Sequence, residues 1–588
     1  MKLILILKLY SIIVICYQVI GLDNNNTTTT RSLFLSPSIP FTPYIIYDLS
    51  GIPGQGYYMT VYIGKPSQKI QLLVDTGSSN LAIAGRNLTN VDNWFKSTKS
   101  STLRCSDHLI QRVRYLKGYW TGVYCQDEFD FTNKQDTTII NQYSINTTNQ
   151  IQLSFSLIFN SNKIFLSHIY NHSTWYGIIG LGFTTLYIKP KLINIYNHHH
   201  YQKNLLINWK NQLINQLFDH NHNHNNNQFT YIDQLNSIWN IHKQFGLLLC
   251  GTTLFNDPDM NSRKMSGKLI IGRTDLNLLW PSTYITNNMS SSKIPSLNPS
   301  TVYYTPIRKA WYYEIILTDL LIDQYSLVDN CKELNLYKTI IDSGTTNIYL
   351  PIKIFQQLIR YILIKYIDQK SIFNNIKNKK LFWYGKNAYC LPKIINNKIN
   401  HEKSIKLFYQ SFPMIEFQLI SSYNTLNEII SLLLSPQQYV RYLGRINRNN
   451  QSRDCFAFAI QPTHRNTILG SVFLEAYYTI FDQENMQIGF TNSPCNSYTN
   501  NPNIPLSKVN GLKLWNETFK YISSRRIYQD NINIHHLSSP LDCAVYRPTK
   551  SLQLVYFKEL HSRIFWLSTI VHFFLIPLYI LLKIKYIH

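Results

Sequence analysis

One short pattern occurs twice in this chain and constrains its fold more than any other feature. The first copy is residues 74–80 (VDTGSSN) and the second is residues 341–347 (IDSGTTN). Each copy follows an apolar stretch that predicts a buried β-strand. Each also places an acid at the end of that strand, where a carboxylate without partners is costly to bury. The glycine two residues later allows a tight turn, and the hydroxyl residues supply hydrogen-bond donors.

The two acids, Asp75 and Asp342, predict a function as a pair that neither predicts alone. A single copy would be interpreted as a structural turn that closes a hairpin. Two copies in the same frame indicate two lobes facing each other across a pseudo-twofold axis, which brings the carboxyl groups together. Two such carboxyl groups share one proton, so their pKa values separate. One acid then acts as general base and the other as general acid on the same water, which predicts a peptide-hydrolysing pair.

A second repeated element supports the two-lobe interpretation. The run GIIG at residues 177–180 follows the first acid turn, and the run TILG at residues 467–470 follows the second. A chance motif would not bring its companion strand with it, so the chain contains an internal repeat. Short alternating strands, such as residues 57–63, predict that each lobe is built from β-structure.

Residues 112–124 predict a β-hairpin with residues 116–118 at its tip. Tyr115 and Trp120 lie on its two arms. In a chain with 42 tyrosines these aromatics could be ordinary packing residues. Their spacing within the hairpin favours a functional role.

Composition narrows the class of protein. The chain has 588 residues and a net charge of +24, but its basic residues are scattered, which argues against a nucleic-acid groove. Apart from Cys16, its cysteines lack the spacing of a zinc site and predict disulfides in an exported protein. N-glycosylation triplets agree; they begin at Asn87, Asn146, Asn171, Asn288, Asn450 and Asn516.

The N-terminal residues predict export. Residues 1–21 form an apolar run after Lys2 and are interpreted as a cleaved signal peptide. A retained anchor is the alternative, which Lys8 within the run disfavours. Residues 22–54 are interpreted as a pro-segment or linker, although they contain no dibasic processing site.

The C-terminal residues predict a membrane anchor. Residues 564–582 contain no Asp, Glu, Lys or Arg and are long enough to span a hydrocarbon core. Lys583 and Lys585 follow, and positive residues favour the cytosolic side. The prediction is a type I membrane helix after a juxtamembrane segment, residues 546–563, and before a cytosolic tail, residues 583–588. A soluble amphipathic helix is the alternative, but the run has no polar face.

Residues 187–230 are rich in Asn and His. Histidines at this density can bind a metal ion. We interpret the stretch as a polar insertion on the surface and predict no metal site in it.

These motifs resemble those of the pepsin-like aspartic proteases, and within them the beta-secretase (memapsin) branch. The broader resemblance rests on the two acid turns, the hairpin and the two companion strands. The finer one rests on the runs GQGYY (54–58), YTPIR (304–308), WYYE (311–314), DSGTTN (342–347), PQQY (436–439) and residues 470–490. The resemblance extends from about residue 54 to residue 543, interrupted by the insertion.

The resemblance implies an all-β, bilobal pepsin-like fold with pseudo-twofold lobes, plus the single transmembrane helix. The N-terminal lobe would span residues 55–270 and the C-terminal lobe residues 271–545. Three disulfides would carry over, leaving a fourth beside the hairpin as a departure from the family. The expected pairs are Cys250–Cys495, Cys331–Cys543, Cys390–Cys455 and the additional Cys105–Cys125.

The resemblance also implies roles for individual residues. Asp75 and Asp342 would be the catalytic pair, and Tyr115 would belong to a flap that closes over substrate while bonded to Trp120. The other residues expected to line or support the cleft are Gly77, Ser78, Gly344, Thr345 and Thr346. Tyr349 stands where the family has an arginine that reaches a substrate side chain, so an acid preference at that subsite is not expected.

The expected protein is a monomeric, membrane-anchored aspartic endopeptidase that needs no cofactor and is made as a zymogen. It would cleave polypeptides at acidic pH, type I membrane proteins among them, in the secretory pathway, the endosome or Golgi, or at the cell surface. One rival is a soluble, cathepsin D-like lysosomal or secreted protease. The other is a catalytically silent binding ectodomain on the same fold.

Overall fold

The computed structural model of the protein describes seventeen stretches of the chain, which contain both acid turns and the hairpin. They are residues 43–52, 56–115, 118–131, 137–140, 150–165, 174–192, 230–251, 265–274, 301–367, 375–376, 378–391, 401–422, 428–448, 451–493, 495, 507–515 and 540–544. No helix within these stretches is long and apolar enough to cross a bilayer. The predicted signal peptide and the predicted membrane helix both lie outside the described residues.

Short strands dominate the first half of the described chain. They are β1 (Tyr44–Ile52), β2 (Gly56–Ile63), β3 (Gln68–Asp75), β4 (Leu81–Ala84), β5 (Arg104–Arg114), β6 (Tyr119–Asp130), β7 (Thr137–Ile140), β8 (Gln150–Asn162), β9 (Gly177–Gly180), β10 (Lys191–Leu192), β11 (Gln244–Leu249) and β12 (Met265–Ile271). One helix, α1 (Tyr231–Trp239), is added to them. Its capping box, in which Thr230 and Asp233 exchange hydrogen bonds, explains where it begins.

The second half of the described chain mixes strands with helices. Its strands are β13 (Tyr303–Pro306), β14 (Glu314–Ile315), β15 (Leu317–Ile322), β16 (Tyr325–Ser326), β17 (Thr339–Ile341), β18 (Ile348–Pro351), β19 (Tyr389–Cys390), β20 (Ile415–Ile420), β21 (Glu428–Leu434), β22 (Val440–Arg448), β23 (Gln451–Phe458), β24 (Ile460–Thr463), β25 (Thr467–Leu469), β26 (Tyr477–Asp482), β27 (Gln487–Asn492) and β28 (Lys508–Leu514). Its helices are α2 (Ile352–Ile362), α3 (Lys380–Trp383), α4 (His401–Tyr409), α5 (Pro436–Tyr439) and α6 (Ser471–Leu474).

The fold is therefore mostly β, as the repeat predicts, but it includes helices that the all-β expectation omits. The longest is α2, in which Ile354, Leu358 and Ile362 recur every four residues and are buried. That spacing places them on one face of the helix. The helix lies directly after β18, which follows the second acid turn.

The internal repeat appears as two copies of one strand arrangement. In the first copy β3 runs parallel to β9 and places Asp75 opposite Gly180, β9 is antiparallel to β4, and β4 is parallel to β8. In the second, β17 runs parallel to β25, β25 is antiparallel to β18, and β18 is parallel to β24. Each acid turn thus begins where the first strand of its copy ends.

One large sheet connects the two halves. Its fifteen strands follow the order β10-β5-β6-β8-β4-β9-β3-β2-β1-β12-β11-β26-β27-β13, with β7 paired to β1. The junction is the antiparallel pair β11 and β26, which matches residues 244–248 with residues 478–482. The first-half strands and three strands of the second half, β13, β26 and β27, therefore belong to a single hydrogen-bonded layer.

Two predicted segments include described residues that pack against the N-terminal lobe. Residues 44–52, predicted as part of a pro-segment or linker, form strand β1, which pairs with β2, β7 and β12. Removal of the pro-segment stays a prediction. Residues 187–192, predicted as the start of the polar insertion, are bonded to the lobe through Asn80 and Gln111. Residues 193–229 of the insertion lie outside the described residues.

The structure forms the four disulfides that the sequence analysis expects: Cys105–Cys125, Cys250–Cys495, Cys331–Cys543 and Cys390–Cys455. Two of the bridges join cross-strand partners, since Cys105 lies opposite Cys125 and Cys390 lies opposite Cys455. The other two close long segments of chain.

Candidate active site

The first acid turn holds its carboxylate from within the turn. Asp75 is the last residue of β3 and is 6% exposed. The backbone amide of Gly77 donates to Asp75 Oδ1 at 2.8 Å, and the Ser78 hydroxyl donates to Oδ2 at 2.5 Å. Both carboxylate oxygens thus have a donor supplied by the same short motif, which offsets the cost of burying them.

The second acid turn repeats this arrangement. Asp342 directly follows β17, and its Oδ1 accepts from the backbone amide of Gly344 at 2.9 Å. Its Oδ2 accepts from the Thr345 hydroxyl at 2.6 Å. The expected donors, Ser78 in the first turn and Thr345 in the second, therefore occupy equivalent positions in the two copies.

The two carboxyl groups meet across the lobe junction. A Cβ atom added to Gly77 would lie 2.6 Å from Asp342 Oδ1, and one added to Gly344 would overlap the carboxyl group of Asp75. Neither glycine has the positive φ that favours glycine over other residues. Each glycine is needed because the opposite acid approaches its backbone closely, a reason that the single-turn pattern does not reveal.

The pair is electrostatically unequal. Burial raises the pKa of Asp75 from its usual 3.8 to about 8, and the neighbouring Asp342 carboxyl adds to the effect through its charge and a hydrogen bond. The bonds from Ser78 and Gly77 act in the opposite direction. Desolvation and a like charge both favour the neutral form of a carboxyl group. Burial and the neighbouring Asp342 carboxyl therefore both favour the neutral form of Asp75.

This pKa shift has a consequence for stability that can be measured. A group whose pKa is raised on folding contributes stability below its unfolded pKa, and that contribution is lost as pH rises through the folded value. Asp75→Asn stays neutral at every pH. We therefore expect the free energy of unfolding of Asp75→Asn to exceed that of the wild type by a margin that grows from about pH 4 to about pH 7, as measured by denaturant titration.

The matched control for this experiment is Asp48→Asn. Asp48 is exposed and pairs with Lys268 at 2.7 Å, so its removal is expected to change stability by less than about 1 kcal/mol. Parallel stability curves for Asp75→Asn and the wild type across this pH range would show that Asp75 is not buried against a second charge.

Two residues that the sequence analysis did not single out lock the turns together. The Thr76 hydroxyl donates to the carbonyl of Ile341 at 3.1 Å and accepts from the amide of Ser343 at 2.9 Å. The Ser343 hydroxyl donates to the carbonyl of Val74 at 2.7 Å and accepts from the amide of Thr76 at 3.0 Å. The only signal in the sequence is that both copies carry a hydroxyl residue directly after the acid.

The hairpin covers the same site. Its described turn closes with a bond from the Tyr115 amide to the carbonyl of Gly118 at 2.7 Å. The buried Trp120 donates from Nε1 to the Tyr115 hydroxyl at 3.2 Å. Burial and the charge of Asp75 raise the pKa of Tyr115, whose hydroxyl lies beside that of Ser78. Tyr115 and Ser78 thus form a path of neighbouring polar groups from Trp120 to Asp75.

Other residues named in the sequence analysis take different positions. Thr346 is half-buried, and its backbone carbonyl accepts from the amide of Val472 at 3.1 Å. Tyr349 is half-buried on β18, where burial raises its pKa. Tyr312 was not predicted as a site residue, but its pKa is raised by burial and then by Asp342 and Asp75, which places it beside the pair.

The described residues contain no cluster of three or more His, Cys, Asp or Glu side chains that could hold a metal ion. The histidines at positions 198–200, 220, 222 and 224 lie outside the described residues. The chemistry available at the acid pair is that of two adjacent carboxyl groups that can donate and accept protons.

Comparison with known proteins identifies the family. The model of the family described as eukaryotic aspartyl protease matches residues 56–228 and 295–493, which include both acid turns and the hairpin. The chain belongs to the eukaryotic aspartyl proteases. Membership explains why this aspartyl protease carries two copies of one strand arrangement with an acid at the same place in each.

Individual relatives agree with this assignment. A beta-secretase from Strongylocentrotus purpuratus is 30% identical over 457 residues, covering 76% of this chain and 68% of that protein. Plasmepsin V from Plasmodium falciparum is 24% identical over 481 residues, covering 75% and 71%. Plasmepsin VII from Plasmodium berghei is 29% identical over 199 residues, covering 33% and 31%. This aspartyl protease is an aspartic-type endopeptidase related to beta-secretase.

Proposed function

We propose that the protein is a membrane-anchored aspartic endopeptidase in which Asp75 and Asp342 act together on one water molecule. The meeting of the two carboxyl groups, each held by its own turn, is the observation that supports this most. The deeper burial of Asp75 supports the following division of roles. Asp75 is the general acid and Asp342 is the general base.

The proposed reaction follows from these roles. The carboxylate of Asp342 takes a proton from water as the water oxygen attacks the carbonyl carbon of the scissile peptide. The proton on Asp75 hydrogen-bonds the carbonyl oxygen and stabilises the charge that develops there. The C–N bond then breaks and the leaving nitrogen is protonated by the pair. Activity is lost as pH rises through the raised pKa of Asp75, because both acids are then ionised.

The test of this function is cleavage of a diverse peptide library by the full chain across a range of pH. Specific cleavage that a statine-type transition-state analogue inhibits would support it. Binding of the analogue without turnover of any peptide would favour the silent ectodomain instead.

The flap makes a separate prediction. Tyr115→Phe removes the hydroxyl that links Trp120 to Ser78, and we expect kcat/KM to fall roughly tenfold. Tyr115→Ala removes the ring that closes over the substrate, and we expect a fall of roughly 100-fold. Steady-state kinetics on a peptide substrate measures both effects.

The control is Tyr124→Phe, a buried tyrosine on β6 whose hydroxyl bonds to Ser154. Loss of the Tyr124 hydroxyl should leave kcat/KM within about twofold of the wild-type value, because that hydroxyl has no part in the path to Asp75. If Tyr115→Ala and the wild type had equal kinetics, the proposal that the flap closes over the substrate would be wrong.

The proposed location is the secretory pathway, the endosome or Golgi, or the cell surface, as a glycosylated type I membrane protein made as a zymogen. Four disulfides support an oxidising compartment. The apolar run at residues 564–582 supports the anchor. We infer that type I membrane proteins are among its substrates. Retention of the full chain in membranes after alkaline carbonate extraction supports anchoring, whereas release supports a soluble, cathepsin D-like enzyme.

A further inference from the structure

A basic groove lies on the N-terminal lobe beside the flap. It encloses about 360 Å³ and is lined by Ile110, Arg112, Ile188, Lys189 and Lys191. Strand β10 forms one wall by pairing with β5, which places Lys191 opposite Ile110. Three of the five lining side chains are cationic and the other two are aliphatic, so the groove combines positive charge with apolar surface.

The groove occupies the outer face of the flap hairpin. Along β5, Gln111 and Val113 are buried whereas Arg112 and Arg114 are exposed, as expected for alternation along a strand. Val113 packs with the flap residues on the inner face. The Arg112 guanidinium lies 4.7 Å from the centre of the Tyr119 ring, a cation–π contact that fixes its position. The groove is therefore separate from the surface that faces the acid pair.

Hydrogen bonds from two buried side chains hold the Ile188 backbone beside the groove in place. The carbonyl of Ile188 accepts from Asn80 Nδ2 at 3.1 Å and from Gln111 Nε2 at 2.6 Å. The amide of Ile188 donates to Asn80 Oδ1 at 3.1 Å. Gln111 is 1% exposed and accepts from the Ser156 hydroxyl. The Ile188 backbone is fixed by two side chains, those of Asn80 and Gln111, yet the Ile188 side chain remains 42% exposed.

We propose that this groove is an exosite that binds an acidic segment of a polypeptide substrate, with apolar residues between the acids. Arg112, Lys189 and Lys191 supply the opposite charge, and the two isoleucines bury the intervening apolar side chains. A sulfated polysaccharide would use the cations but would leave Ile188 in water. The occupant's role as substrate rests on the endopeptidase function proposed above; binding itself does not.

The test measures binding without cleavage. The full chain is placed in zwitterionic lipid nanodiscs with a statine-type inhibitor in its cleft, and a fluorescein-labelled decapeptide of alternating Glu and Leu is titrated by anisotropy. We expect saturable binding that weakens with added salt. The double variant Lys189→Glu, Lys191→Glu should weaken binding roughly tenfold or more, and Ile188→Ser should weaken it about fivefold.

The controls separate the groove from general charge. Lys96→Glu, Lys99→Glu makes the same change in net charge at exposed positions of the same lobe and should leave peptide affinity unchanged. The inhibitor's affinity reports whether each variant is folded. Undiminished peptide binding by the groove variant would overturn the proposal. So would a sulfated oligosaccharide that binds as tightly as the peptide and is indifferent to Ile188→Ser.

A second readout connects the groove to catalysis. A cleavable peptide extended by the acidic arm should have a lower KM than the same peptide without the arm, and the groove variant should remove that advantage with kcat unchanged. An arm that binds the groove but leaves KM unaffected would overturn the substrate role while leaving the peptide site intact. Failure of any peptide to be cleaved would instead count against the endopeptidase function.

Discussion

Replacing either Asp75 or Asp342 by Asn is expected to lower kcat/KM for a peptide substrate by roughly 10⁴-fold or more. Each acid performs one half of a coupled proton transfer, and neither half proceeds when its partner cannot exchange a proton. Asn is close in size, its Oδ1 can still accept from the turn amide and its Nδ2 can donate to the turn hydroxyl, so the fold should survive. Steady-state kinetics of the two single variants and the double variant measures the effect.

The double variant is the sharper part of this experiment. Residues that act as one unit have non-additive effects, so the double variant should be no slower than the slower single variant. Independent losses that multiply would show that the two acids work separately. A single variant that binds a statine-type analogue as tightly as the wild type and still cleaves peptide would also contradict the assignment of Asp75 and Asp342 as the catalytic pair. Circular dichroism of each variant serves as the folding control.

Thr76→Val is expected to combine a loss of stability with a loss of activity. The hydroxyl of Thr76 is fully buried, donates to the Ile341 carbonyl and accepts from the Ser343 amide. Valine removes both bonds and leaves two backbone groups of the opposite turn without these partners. We expect the free energy of unfolding to fall by about 2–4 kcal/mol, as measured by denaturant titration. We expect kcat/KM to fall roughly 100-fold, because small misplacements of reacting groups are costly.

A matched control for Thr76→Val lies in the other, C-terminal lobe. Thr318 on β15 is 2% exposed, and its hydroxyl has no hydrogen-bond partner within the described part of the chain. Thr318→Val exchanges the same two side chains in a comparable environment but breaks no such bond. We expect a change in stability of no more than about 1 kcal/mol and unaltered kinetics. If Thr76→Val behaved like this control, the cross-lobe bonds would have no part in positioning the acids.

The chemistry within each acid turn could be predicted from the sequence because it is local. The donors to Asp75 lie two and three residues after it, and a short motif therefore contains nearly all the information that defines its hydrogen bonds. The aromatic pair Tyr115 and Trp120 is local in the same sense. Three of the disulfides could be paired only through the family resemblance, since cysteine spacing alone leaves many connectivities open.

The features that escaped prediction depend on residues distant in the sequence. The bonds between Thr76 and Ser343 exist only because two turns face each other, and neither turn alone shows which hydroxyl points inward. The unequal burial of Asp75 and Asp342 has the same origin, since two nearly identical motifs lie in different surroundings. Strand β1 was missed although β2, one of its partners, follows it directly; its other partners, β7 and β12, lie far along the chain.

The pairing of β11 with β26 bears on how a substrate enters. Five consecutive residue pairs join the halves at that seam, and shearing them apart would expose a row of backbone amides and carbonyls to be rehydrated. Under the proposed flap role, admission therefore falls to the hairpin of β5 and β6, and the rates of substrate entry and product release should follow the stiffness of that hairpin.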